Sequence, residues 1–177
     1  MKVSDKMKEA IKRSRKFSPT MWLSEQTGLY YIGYGHIVPV NKVKEFIGVK
    51  ITKKMAEELF EKDMWNCQSF VNKTIGLQGH CFREDIPQNH FDVMCHIRYD
   101  IGESKLLKDS SFFLLYKKGL IAESAERIMV WKKYKGNYCS SLFNRRKLDY
   151  QIFTTNDYTQ IKNSKKDKKE PTWMNLN

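Results

Sequence analysis

Gly28-Leu29-Tyr30-Tyr31-Ile32-Gly33-Tyr34-Gly35-His36 is the stretch whose reading decides the fold. Tyr30, Tyr31 and Ile32 are strand formers, and Thr27-Gly28 before them supplies turn chemistry. Trp22 and Leu23 lie upstream as a partner strand, so residues 21–36 read as a small β-hairpin or meander turning near Glu25–Gly28. Gly33 and Gly35 bracket Tyr34, a spacing that suits a sharp turn or a close backbone approach.

The flanks read as helix. Ser4 is a natural N-cap with Asp5 favourable in the first turn, and Met7, Ala10, Ile11 and Ser14 follow at helical spacing. That helix should stop near Phe17, because Ser18 precedes Pro19. Thr52 should cap a second helix with an apolar face of Met55, Ala56, Leu59, Phe60, Met64, Cys67 and Val71. Residues 72–87 read as loop, on Gly76, Gly79 and Pro87. A third helix over 88–101 is apolar on two sides, with Phe91, Met94, Cys95 and Ile101 on one and Val93 and Ile97 on another. It should be largely buried and stop at Gly102. His96 and Arg98 on it then need partners, because an unpaired buried charge is costly. Helices near 110–117 and 120–132 follow across Gly119, Gly136 marks a loop, and a last helix carries Leu142, Arg145, Arg146, Leu148 and Ile152. The expectation is a β lobe over about 18–50 and a helical lobe over about 72–160, joined by the helix of 52–71 with a cleft between them. Residues 161–177 should be a basic, frayed tail outside a domain of 1–160.

Composition narrows the partners. The chain has 177 residues, 41% apolar and 29% charged, with 9 Gly and 4 Pro, which excludes a collagen or a low-complexity scaffold. No apolar run approaches the roughly 18 residues of a membrane span, and Met1–Lys6 lacks the apolar stretch of a signal peptide. Lys plus Arg is 32 against 20 Asp plus Glu, a net charge of +12. Such a balance favours nucleic acid, anionic lipid or an anionic wall polymer. Residues 1–16 hold seven bases and two acids. Cys67, Cys81, Cys95 and Cys139 form no CxxC pair, and His80 and His96 beside two of them lack ligand spacing. Buried thiols in a reducing compartment are expected, with no metal and no cofactor.

Five blocks carry a resemblance. Ile11-Lys12-x-x-Arg15-Lys16-Phe17, followed by Gly28-x-x-x-Ile32-Gly33-Tyr34-Gly35-His36, resembles the start of phage-type lysozymes, the muramidase endolysins of bacteriophages. Ile51-Thr52-Lys53-Lys54-Met55-Ala56-Glu57-Glu58-Leu59-Phe60-x-x-Asp63 resembles their inter-lobe helix. Gln88-x-x-Phe91-Asp92 with Tyr99-Asp100-Ile101-Gly102 resembles their central buried helix. Ser110-Ser111-x-x-Leu114-Leu115, Trp131 and Leu142-x-x-Arg145-Arg146-x-x-Asp149 resemble the C-terminal part. Together they cover about residues 8–153 and imply an α+β, lysozyme-like fold. They also imply a phage-encoded protein, in the virion or the host bacterial cytoplasm, that acts on peptidoglycan.

Cleaving a β-1,4 glycosidic bond takes two carboxyl groups, one of which must stay protonated near neutral pH; lysozyme is itself the type case. The resemblance puts the acid at Arg15 and a glycine at Lys16, in a pattern that elsewhere reads I-K-x-x-E-G-F. It puts the second carboxylate at Glu25 and a threonine at Tyr31. Arginine cannot act as a general acid at neutral pH, and Tyr31 can fill the space where a water must stand. Tyr34, His36 and Asp100 remain as substrate contacts, with a purely structural role open for each. Three functions follow. One is a catalytically impaired homologue that binds peptidoglycan or another anionic polymer, or serves among phage virion proteins. Another is an active endolysin working through Glu25. The third is a nucleic-acid-binding module that reuses the fold, motivated by the charge alone.

Overall fold

The computed structural model describes residues 1–25, 27–76, 86–102, 111–134 and 136–159. Helix α1 (Asp5–Arg15) starts as its sequence dictates, with the Ser4 side chain accepting from the Met7 N–H at 3.2 Å. Met7, Ala10 and Ile11 make its buried stripe. The chain leaves α1 at Lys16 with φ +57° and ψ 158°. It then enters an antiparallel meander of β1 (Ser18–Leu23), β2 (Tyr30–Gly33) and β3 (His36–Val38). Tyr31 pairs with Trp22 on one side and Ile37 on the other, and the register shifts between Ser18 and Trp22. Gly33 has φ +65°, and a Cβ there would stand 3.1 Å from the Ala56 Cβ. Glycine is what lets the sheet close on the helix behind it.

After the short α2 (Val43–Phe46), helix α3 (Lys53–Gly76) begins at its expected cap, the Thr52 hydroxyl accepting from the Met55 N–H at 3.2 Å. It runs past Val71, so residues 72–76 are helical and not loop. No proline interrupts this last stretch, the Thr74 hydroxyl donates to the Phe70 carbonyl at 2.9 Å, and a helical glycine costs only about 1 kcal/mol. The rest of the expected loop, with Gly79 and Cys81, lies outside the described residues up to Ile86.

Helix α4 (Gln88–Ile101) is buried continuously from Phe91 to Ile97 and is closed by Gly102, whose N–H donates to the Arg98 carbonyl at 3.1 Å. Helices α5 (Ser111–Lys117) and α6 (Ile121–Arg127) form the expected pair. Beyond Arg127 the chain tightens to a 3-10 turn over Ile128–Lys132, with a kink at Trp131. Where Gly136 suggested only a loop, β4 (Lys133–Tyr134) and β5 (Asn137–Tyr138) make a two-stranded ladder. Helix α7 (Ser140–Thr155) ends the described structure's helical part, with Asn156 left-handed at its C-cap.

The larger core joins α1, α3, α4, α5 and α7 through Met7, Ile11, Phe60, Met64, Phe91, Met94, Phe112, Ile152 and Phe153. A smaller core under the sheet holds Ile32, Val38, Ile51 and Ala56. Tyr34 packs against both cores, which couples the sheet to the helices. Cys67, Cys95 and Cys139 are buried and in no disulfide, burial being as expected for the first two, and burial pushes the Cys67 thiol up to about 12.

Candidate functional site

A cleft of about 330 Å³ opens where the end of α1, the sheet, the end of α4 and the start of α7 meet. Arg15 and Lys16 line it from α1, Trp22 and Tyr31 from the sheet, Tyr99 and Asp100 from α4, and Lys133 and Arg145 from the C-terminal segment.

Its floor is a buried charge cluster built by helical spacing. His96 and Asp100 are four apart on α4, and Arg146 and Asp149 are three apart on α7, so each pair shares one face. The Arg15 Nη2 donates to Asp100 Oδ1 in an ion pair. Asp100 Oδ2 accepts from Arg146 Nη2 at 2.6 Å and stands 2.9 Å from Arg145 Nε as an ion pair. Asp149 reaches His96 Nδ1 at 2.5 Å and Arg146 Nε at 2.8 Å. The Arg15 guanidinium also lies over the Tyr99 ring, 4.6 Å from its centroid. The need for partners read from the sequence is thereby met for His96. Arg98 stands over the Phe70 ring at 5.2 Å.

The electrostatics follow from this geometry. Burial alone would raise the Asp100 carboxyl, but Arg145, Arg15, His96 and Arg146 together hold it well below the usual carboxylate range. It is ionised at neutral pH and has no proton to give. Burial depresses the Arg145 guanidinium, Asp100 supports it, and Arg15 and Arg146 push it further down. For Arg15, burial acts the same way but Asp100 prevails and its affinity for the proton rises.

Gly35 completes the seat of Arg15. It has φ +96°, and a Cβ at that position would run into the Arg15 guanidinium. Tyr31 stacks on Trp22 with centroids 5.1 Å apart, and its hydroxyl donates to Thr27 Oγ1 at 3.2 Å.

Of the residues singled out in the sequence, Arg15, Tyr31 and Asp100 meet in this cleft. Glu25 lies exposed on the turn between β1 and β2, outside the cleft lining. Tyr34 turns to the core, against Phe17 at 5.8 Å and Phe60 at 6.0 Å, and its carbonyl accepts from the Tyr99 hydroxyl at 3.0 Å. His36 Nδ1 stands 2.9 Å from Asp63, tying β3 to α3. Sequence reasoning missed the roles of Arg145, Arg146 and Lys133 in the site. The signal available was Asp100 itself, since a carboxylate at the end of a buried helix demands cations. Among the described residues no three His, Cys, Asp or Glu side chains gather as a metal site requires, and no helix is long and apolar enough to cross a membrane.

With this geometry established, similarity to known proteins is informative. The phage lysozyme family model matches residues 17–149. The chain is 25% identical over 130 residues to the endolysin of Salmonella phage P22, an alignment that spans 73% of this chain and 83% of that one. Among solved structures, the endolysin from Escherichia coli O157:H7 phage FAHEc1 superposes with a TM-score of 0.71 at 27% identity, covering 90% of this chain and 97% of the other. The active form of the P1 phage endolysin Lyz superposes with a TM-score of 0.68 over 88% of this chain and 86% of its own; at 16% identity it speaks for the fold alone.

Proposed function

The chain belongs to the phage lysozyme family, and on that premise we propose that its cleft binds peptidoglycan without cleaving it, as a binding or virion accessory module. The observation that carries this reading is the fate of the acid position. The resemblance puts Arg15 there, and Arg15 is ion-paired with the buried Asp100. A guanidinium with a pKa above 12 donates no proton to a leaving oxygen.

The rest of the cleft supports the same conclusion. Asp100 is the one carboxylate among the described residues lining it, and Arg145, Arg15 and Arg146 around it hold it ionised. Glu25 projects from a turn with solvent around it. It is not among the residues lining the cleft, where a second carboxylate would have to face a bound glycan. Tyr31, stacked on Trp22, occupies the wall where the family carries a small hydroxyl residue. The fold and the cleft remain, so a glycan strand still has a place to lie.

The test is release of reducing ends from purified peptidoglycan between pH 4 and 9, run beside co-sedimentation with the same material. The expected outcome is sedimentation of the protein with no release above background at any pH. Hydrolysis by pure wild-type protein would overturn the reading, and loss of that hydrolysis in Glu25→Gln would then assign it to Glu25.

A further inference from the structure

We propose that the cleft holds an oxyanion site beside its buried charge cluster, taking a carboxylate or phosphate group of a cell-wall polymer between Lys16, Lys133 and Arg145. The inference rests on the reading of the cleft as a wall-polymer binding surface and adds the chemistry that it selects.

The first observation is an imbalance of charge. Arg15, Lys16, Lys133 and Arg145 line the cleft, and Asp100 alone opposes them among the described residues. Asp100 is already shared by Arg15, Arg145 and Arg146. Arg15 Nε is buried with no hydrogen-bond partner among the described residues. Neither Lys16 nor Lys133 makes an ion pair among them, and both are exposed. A low-dielectric cleft carrying surplus cations concentrates anions, and guanidinium groups match carboxylate and phosphate geometry.

The second observation is independent of charge. Lys16 closes α1 at φ +57° and ψ 158°, a backbone region almost confined to glycine. Here a lysine is held there under strain, and it is one that faces the cleft. Strain of this kind clusters at active sites and ligand clamps.

Three probes test the proposal by calorimetric titration: a soluble muropeptide bearing free carboxylates, a neutral N-acetylglucosamine oligomer, and inorganic phosphate. The muropeptide should bind at least about tenfold more tightly than the neutral oligomer, and added salt should erode that preference. Displacement of the muropeptide by phosphate at millimolar concentration assigns the site to phosphate groups as well; failure of phosphate to displace it assigns the site to glycan carboxylates. Lys16→Gly should raise the melting temperature by relieving strain and yet lose about fivefold or more in muropeptide affinity, with Lys133→Gln losing affinity in the same direction. A purely structural Lys16 would give the gain in melting temperature with unchanged affinity, which overturns the proposal. Equal binding of the charged and neutral glycans overturns it too while leaving the binding function intact. Absence of binding to either glycan overturns both.

Discussion

Asp100→Asn is expected to cost about 3–5 kcal/mol of stability, the usual consequence of removing one partner from a buried ion pair. For a chain of this size that lowers the melting temperature by roughly 6–20 °C. The reason lies in the geometry of the floor, where Arg15, Arg145 and Arg146 converge on one fully buried carboxylate. An asparagine there leaves three guanidinium groups without their shared counter-charge. The pH dependence has a definite sign. The folded-state carboxyl of Asp100 lies well below its ordinary value. Its contribution is therefore complete above about pH 4 and is lost as the pH falls toward the folded-state value. Wild-type protein should show a steep acid limb below about pH 4, and that limb should flatten in Asp100→Asn. A variant that melts within a degree or two of wild type would show that the cluster contributes little.

The second large effect is a gain. Arg15→Glu combined with Tyr31→Thr should release reducing ends from peptidoglycan at about a hundredfold or more above the wild-type background, the scale of one general acid. A glutamate at position 15 would stand beside Asp100, and two carboxylates sharing a site raise the pKa of one of them. Arg145 and Arg146 remain to neutralise the other. Removing the Tyr31 phenol opens the wall now closed by its stack on Trp22. The single variants should each recover less than the pair. A double variant that folds, binds peptidoglycan and stays silent would mean that Arg15 and Tyr31 are not what holds activity down.

Much of the fold was legible because local chemistry and global packing agree. Ser4 and Thr52 cap the helices they precede, Gly102 ends α4, and Tyr30–Gly33 pairs as a strand. What escaped notice was set by tertiary contact. Residues 72–76 stay helical although Gly76 suggested an end, and the short ladder of β4 and β5 has no strand signal of its own. The site divides in the same way. Arg15 and Tyr31 stood out as departures from a motif, whereas the surplus of cations around Asp100 depends on α1, α4 and α7 meeting, which no local pattern encodes. Lys16 shows the same limit, because its residue type is visible in sequence but its positive φ is not.

The charge cluster also bears on how the protein emerges from the ribosome. Arg15 lies near the beginning of the chain, Asp100 past its middle, and Arg146 and Asp149 near residue 150. Domains made vectorially present their first helices long before their last. A nascent chain that has exposed only α1 through α4 has Arg15 and His96 to set against Asp100, and lacks Asp149 for His96. Only the arrival of α7 supplies the remaining counter-charges, together with Ile152 and Phe153 for the larger core. The floor of the cleft therefore needs the last helix, and a chain cut before Ser140 lacks Arg145, Arg146 and Asp149 with it.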